Sequence, residues 1–268
     1  MKEYFFENRI YYRTNEFKHD RLTLVFIHGV SGSSSAWFPY ENKFENKYNI
    51  LNYDIRGHGN SRKYSLYKDY EIKKFVDDLH DLVVHLNITK FILISNSFAA
   101  HIHLQYANIY RDSISANIFT SPEIYQTKTL KVKVLNSLLK IFNRIISILP
   151  FNSKPRGHVD YSKHKNSTDW NIKRNFADMK NTGLRSHFYA LGQSLNSKKE
   201  HNLDKINAPT LIIHGEKDSM IPIQNSIIMS QKINGSKFIS IGNVDHNTVH
   251  NASKEITEII EEFTNKLS

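Results

Sequence analysis

Apolar residues along this chain follow two rhythms. Short, nearly uninterrupted runs recur at Leu22-Thr23-Leu24-Val25-Phe26-Ile27, Asn49-Ile50-Leu51-Asn52-Tyr53, Phe91-Ile92-Leu93-Ile94, Ser115-Ala116-Asn117-Ile118-Phe119, Thr210-Leu211-Ile212-Ile213 and Lys237-Phe238-Ile239-Ser240-Ile241. Runs without polar alternation predict strands covered on both faces. Between them, Ile72, Phe75, Val76, Leu79, Leu82, Val83 and Leu86 recur at helical spacing, as do Ile256, Ile259, Ile260 and Phe263, and residues 99–107 form a further helical run. Residues 3–15 alternate aromatic and polar side chains on either side of Glu7-Asn8, which predicts a β-hairpin. Strands alternating with helices give an α/β fold: a mostly parallel sheet with helices on both faces. No internal repeat is visible.

Residues 124–206 break this rhythm. They hold no buried-strand run and are helical where periodic, most clearly over 130–149, where Leu135, Leu138, Leu139, Phe142, Ile145, Ile146 and Leu149 form one stripe and Pro150 ends it. We therefore divide the chain into a core, residues 1–123 and 207–268, and a helical cap inserted at 124–206 over the carboxyl edge of the sheet. The stripe is expected to pack on that edge or to line an acyl pocket. Charge singles out the same segment. The chain carries a net +10, yet residues 124–206 hold sixteen Lys and Arg against five Asp and Glu, so the cap owns the entire surplus.

Composition narrows the class. A chain of 268 residues suits one large domain, or one domain with an insertion, and needs no disulfide or metal to fold. The absence of cysteine excludes a disulfide framework, a thiolate zinc site and a cysteine nucleophile. No apolar run reaches the roughly 18 residues of a membrane span, and the acids among the first residues do not suit a signal peptide. The expectation is a soluble, unexported, cytoplasmic protein.

In open α/β sheets, ligands meet the carboxyl ends of the strands, so chemistry belongs on the post-strand loops. Ile94-Ser95-Asn96-Ser97-Phe98-Ala99-Ala100 reads as strand, sharp turn and helix, with small residues two positions either side of Ser97. Such a turn projects the Ser97 hydroxyl above the sheet and aims the Phe98 N–H at a developing oxyanion. His28-Gly29-Val30-Ser31-Gly32-Ser33-Ser34 follows the first buried strand and offers the Val30 N–H as second oxyanion donor. Gly215-Glu216-Lys217-Asp218 places a carboxylate after a strand, and Gly242-Asn243-Val244-Asp245-His246 places an imidazole after the last one. Each signal alone is bland. Together, Ser97, Asp218 and His246 occur in the order and on the junctions that a nucleophile, an orienting acid and a general base require.

At these residues the sequence resembles the α/β-hydrolase superfamily. The similarity rests on the segment from Phe26 through His28-Gly29 to Ser34, on Asp54-Ile55-Arg56-Gly57-His58-Gly59-Asn60-Ser61, on the Ser97 elbow, on Gly215-Glu216-Lys217-Asp218 and on His246. The Asp54-to-Ser61 stretch is a specific marker of the single-domain esterase, thioesterase and lipase branch. The resemblance implies an eight-stranded, mostly parallel sheet with a helical cap after strand six, and the oxyanion roles of Val30 and Phe98. The departure is at the elbow, where Gly-x-Ser-x-Gly is Ser95-Asn96-Ser97-Phe98-Ala99; without glycine the turn tolerates positive φ less well. A serine at position 97 argues against the branches that use a carboxylate nucleophile.

Glu123 is an alternative acid, since some relatives take theirs after this strand. His101 with His103, and His246 with His250, are candidate metal pairs, but His101 and His103 sit on different helix faces and no His-Glu-x-x-His occurs; no metal and no cofactor is expected. The predicted activity is hydrolysis of a carboxylic ester or thioester through an acyl-enzyme. The basic cap predicts an acidic partner steered to the site, such as an acyl carrier protein or coenzyme A bearing the acyl group, which resembles the pimeloyl-carrier-protein methyl esterases. A cationic amphipathic helix fits peripheral membrane contact by a lipase or lysophospholipase. No nucleic-acid motif is present. A binding protein that keeps the fold with a silent triad is the reading from a different class.

Overall fold

The computed structural model describes residues 1–124, 130–164, 167–196 and 202–267. Eight strands, β1 (Lys2–Phe6), β2 (Ile10–Thr14), β3 (Thr23–Ile27), β4 (Asn49–Tyr53), β5 (Phe91–Asn96), β6 (Ile114–Thr120), β7 (Thr210–Gly215) and β8 (Lys237–Ile241), form one sheet in the order β1-β2-β4-β3-β5-β6-β7-β8. From β4 to β8 every pair is parallel; β1 and β2 form the expected hairpin, and β2 runs antiparallel to β4. The hairpin turns through left-handed backbone at Glu7 (φ 48°) and Asn8 (φ 52°), the geometry that matches strand twist.

The helices are α1 (Phe38–Phe44), α2 (Ile72–His85), α3 (Ala99–Ile109), α4 (Leu130–Ile148), α5 (Ile172–Thr182), α6 (Leu184–Asn196), α7 (Gln224–Lys232), α8 (Thr248–Asn251) and α9 (Ser253–Asn265). Alternate residues of the buried strands point to opposite faces and build two cores. Val25, Ile27, Leu51, Tyr53 and Leu93 pack against Phe75, Val76 and Leu79 of α2 and Ile102 of α3. Leu24, Phe26, Ile50, Ile92, Ile94 and Ile118 pack on the other face against Tyr40 and Phe44 of α1 and Ile256 and Ile260 of α9. This two-sided burial is why β3 to β7 lack polar alternation; β8, expected to be covered on both faces, is instead the edge strand and leaves Lys237 and Ser240 exposed.

Between β6 and β7 the chain contributes α4, α5 and α6. Lys63, 4% exposed, ties α5 down: its ammonium donates to the carbonyls of Thr182 at 2.6 Å, Asn181 at 3.3 Å and Gly57 at 3.0 Å. Leu135 lies outside the described side chains, and the rest of the stripe on α4 does not pack as one face. Leu139, Asn143 and Ile146 are buried at spacings of four and three, but Leu138 is 58% and Ile145 50% exposed, and Phe142 and Leu149 are also exposed. The reason is that α4 is laid on α6, which covers a line one residue wide, so a helix-period stripe broader than that line stays open. Of the basic surplus, Lys128, Lys165, Lys198 and Lys199 lie outside the described residues. Among the described residues no helix is long and apolar enough to cross a membrane.

Candidate active site

Strand β5 ends in Asn96 and α3 begins at Ala99, leaving Ser97 and Phe98 to make the turn. Ser97 takes φ 52°, in the left-handed region, and alone among residues 94–100 does so. The elbow's strain, of order 1–3 kcal/mol, therefore sits on the serine itself. Glycine at 95 and 99 is not required for backbone freedom, which removes the concern raised by the glycine-free turn. The turn is held by Ser97 N–H donating to Thr120 O at 3.0 Å and by Ala100 and Glu123 N–H donating to Ser97 O at 2.9 and 3.3 Å.

The structure brings Ser97, His246 and Asp218 together. Ser97 Oγ lies 2.8 Å from His246 Nε2, and His246 Nδ1 lies 2.7 Å from Asp218 Oδ2. The carboxylate accepts only, so Nδ1 carries the ring proton and Nε2 is free to accept from Ser97. Asp218 Oδ1 is fixed by the N–H groups of Met220 (2.9 Å) and Ile221 (2.8 Å), and Oδ2 also lies 3.2 Å from His214 Nε2. Burial alone would raise the Asp218 pKa, but the hydrogen bonds from His214 and His246 override it and hold the carboxyl well below the usual carboxylate range. His214, at the end of β7, receives Ser226 Oγ–H at 2.7 Å on Nδ1, which leaves Nε2–H to donate toward Asp218. Nothing in the sequence singled out His214, although its place one residue before Gly215 put it on the right junction.

Two close approaches bring these loops together. A side chain at Gly215 would meet Val244 O at 2.4 Å, so the acid loop and the histidine loop touch backbone to backbone. A Cβ at Gly29 would come within 3.2 Å of Asn96 Nδ2 and 3.4 Å of Ser97 Cβ, so the loop carrying Val30 lies against the elbow. That loop is steadied from the DIRGHGNS stretch: Asp54, fully buried, accepts Ser34 N–H at 2.7 Å, Asn60 N–H at 2.7 Å and His158 Nε2 at 2.8 Å. Thr182 Oγ1 donates to Ser31 O at 2.8 Å, and His187 of α6 hydrogen-bonds Ser31 Oγ.

The remaining candidates fall outside the triad. Glu123 is buried and accepts Ser194 Oγ–H from α6 at 2.5 Å, while His246 Nδ1 is taken by Asp218. His103 is an internal hydrogen-bond link: Nδ1 lies 2.8 Å from Ser95 Oγ and Nε2 2.9 Å from Asn117 Oδ1, whereas His101 lies beside the Phe98 ring. His250 stacks on Tyr161 with centroids 4.1 Å apart, and burial pushes its pKa down to about 3. Among the described residues no three His, Asp or Glu side chains are placed to hold a metal ion.

Fold and constellation together define a class. The alpha/beta hydrolase fold family model matches residues 23–252, and the chain belongs to that family. Relatives named "Putative carbamate hydrolase RutD" from Escherichia coli O139:H28 and Shigella flexneri are 31% identical over 99 and 96 residues, 37% and 36% of this chain. The matched stretch spans 37% and 36% of those relatives' own lengths. MGS-M2, an alpha/beta hydrolase enzyme from a Medee basin deep-sea metagenome library, superposes with a TM-score of 0.74 at 23% identity, covering 98% of this chain and 97% of that one. A thermophilic esterase from Thermogutta terrifontis gives 0.73 at 17% identity, over 96% and 94%. These structural likenesses carry the fold.

Proposed function

We propose that this hydrolase cleaves a carboxylic ester or thioester with Ser97 as nucleophile. The observation that carries the reading is the unbroken hydrogen-bond line from Ser97 Oγ through His246 to Asp218, at 2.8 and 2.7 Å, with the serine on a left-handed elbow. Ser97 Oγ attacks the acyl carbon as its proton passes to His246 Nε2. The N–H groups of Val30 and Phe98 receive the oxyanion. Collapse expels the alcohol or thiol, protonated by Nε2–H, and leaves the acyl group on Ser97. Water, deprotonated by Nε2, then attacks the acyl-enzyme, releases the acid and restores Ser97. A fluorophosphonate probe should add once to the wild type and not to Ser97→Ala by intact mass. A folded wild type that stays unmodified would shift the reading to a binding protein with a silent triad. Carbamates belong in the substrate screen beside esters and thioesters because the relatives above carry that activity in their name.

Exposed Lys140, Arg144, Lys154, Lys173 and Lys180 on the segment between β6 and β7 support a finer version, in which the acyl group arrives on an acidic carrier. Carrier-bound ester turnover that stays equal at low and high salt would refute it. A second reading, docking on an anionic bilayer, is favoured by the open ridge of α4. Ile141, Ile145 and Ile148 are 59%, 50% and 82% exposed, beside Lys140 and Arg144. Sedimentation with vesicles containing phosphatidylserine, lost in Ile145→Asp/Ile148→Asp, would support it; no sedimentation of the wild type would end it.

A further inference from the structure

A carboxylate outside the triad is built into it. Asp169 lies on the stretch leading into α5, far in sequence from both catalytic loops, and is 2% exposed. Its Oδ2 accepts the backbone N–H of Ser219 at 2.9 Å and the Ser219 hydroxyl at 2.8 Å. Its Oδ1 accepts the backbone N–H of His246 at 2.7 Å and Asn247 Nδ2–H at 3.4 Å. One side chain thus holds the residue immediately after Asp218 with one oxygen and His246 itself with the other. Neighbouring contacts reinforce it: Ser167 O accepts from Asn247 and Asn251 side chains at 3.3 and 3.1 Å, and Trp170 Nε1–H donates to Ser219 Oγ at 2.9 Å.

The chemistry of the carboxylate argues for a purpose. A buried carboxylate is costly unless donors surround it. Among the described residues no Lys or Arg pairs with Asp169; its donors all belong to the acid loop and the histidine loop. The two loops already touch at Gly215 and Val244, so their separation is fixed there by contact. Asp169 fixes the remaining freedom, the sliding of His246 past Asp218, on which the 2.7 Å Nδ1···Oδ2 bond depends.

We propose that Asp169 is a positioning residue, a staple by which the segment between β6 and β7 holds the acid and the imidazole in register. The proposal rests on the triad reading for its catalytic consequence, but not for its structural one. The staple makes the inserted segment part of the hydrolytic machinery as well as its cover: displacing residues 167–171 frees both loops at once.

The test compares wild type, Asp169→Asn and, as a control, Asp160→Asn, whose carboxylate is exposed and bonds to Ser162 and Lys163. Asparagine keeps the shape of Asp169 but turns one oxygen into a donor facing N–H groups. Two readouts are taken on each protein: steady-state kinetics on a short acyl p-nitrophenyl ester, and amide hydrogen exchange at Ser219, His246 and, as a fold control, Ile212 in β7. Asp169→Asn is expected to lower kcat by about 10- to 100-fold with KM within about twofold, and to speed exchange at Ser219 and His246 by about tenfold or more while Ile212 is unchanged. Asp160→Asn should match the wild type in both. Unchanged exchange at Ser219 and His246 overturns the staple. Faster exchange with unchanged kcat overturns its positioning role and leaves the triad reading standing. Faster exchange in a protein whose wild type neither turns over ester nor takes a fluorophosphonate supports the staple and overturns the triad reading instead.

Discussion

Restoring the family's glycine at position 95 should weaken this protein. Ser95 is 1% exposed and its hydroxyl lies 2.8 Å from His103 Nδ1. His103 is fully buried, stacked on Phe119 with centroids 4.0 Å apart, and desolvation pushes its pKa down to about 3. The ring is therefore neutral at pH 7 and has one N–H. That proton belongs on Nε2, which faces Asn117 Oδ1 at 2.9 Å, because Asn117 Nδ2 is spent on Thr210 Oγ1 at 3.1 Å. Nδ1 is then a buried acceptor, and Ser95 is its donor. Ser95→Gly orphans it at about 1–3 kcal/mol, and glycine's unfolded-state entropy adds about 0.5–1 kcal/mol. At about 2–4 °C per kcal/mol for a chain of this size, the thermal midpoint should fall by about 3–16 °C. Ser95→Ala should show the first part alone. In a His103→Phe background, which has no Nδ1 to orphan, Ser95→Ala should cost at least about 1 kcal/mol less, measured as a double-mutant cycle by urea unfolding. A Ser95→Gly protein that melts at or above the wild type, or a cycle additive within about 0.3 kcal/mol, would refute the hydrogen-bond assignment.

Other outcomes follow from the same geometry. Ser97→Ala should lower ester turnover by about ten-thousand-fold or more; Ser97→Gly should be equally inactive yet more stable than Ser97→Ala by about 1 kcal/mol, because glycine accepts φ 52°, and a lower melt for the glycine variant would contradict the strain. Asp218 is held well below the usual carboxylate range. Its contribution is complete above about pH 4 and is lost only as pH falls towards the folded value, so the gap in melting temperature between wild type and Asp218→Asn should stay constant from about pH 8 to 5, and a gap that closes within that range would show that the carboxyl is not held low. Burial lowers the pKa values of His28, His103, His187 and His250 to about 4, 3, 4 and 3. The unfolded chain therefore takes up protons below about pH 6.5 that the folded chain refuses, and each ring removes up to about 1.4 kcal/mol of stability per pH unit. Against a usual margin of about 5–15 kcal/mol, acid unfolding should centre near about pH 4–5, and a stability that stays flat from pH 7 to 4 would show that these rings are not buried neutral.

How legible each part was in the sequence depended on how far it is from what it touches. Ser97, Asp218 and His246 sit on loops that follow apolar runs, and a buried parallel sheet delivers every such loop to one edge, so the triad could be read without knowing any contact. The inner strands β3 to β7 were legible for a related reason, since two-sided burial leaves an uninterrupted apolar run. Asp169 was not legible: its partners Ser219 and His246 lie 50 and 77 residues away, and no local pattern marks an acid whose donors are all distant in sequence. His103 carried a signal, a histidine two residues from another on a helix start rich in apolar residues, but one that reads equally as a metal ligand until Ser95 is seen beside it. The α4 stripe shows the limit in the other direction. Periodicity predicted the helix correctly because backbone geometry alone sets the 3.6-residue repeat, yet it says nothing of the width of the surface that arrives to cover it. Among the described side chains of α4, only the line of Leu139, Asn143 and Ile146 found a cover. The elbow joins both lessons. A missing glycine looked like a loss of backbone freedom when only the family pattern was available. In the fold, the left-handed residue is Ser97 itself, and the side chain that replaced glycine at position 95 satisfies a histidine one strand-to-helix turn away. A departure from a family motif is thus a statement about contacts first, and it counts against activity only where the missing residue was the one carrying the strain.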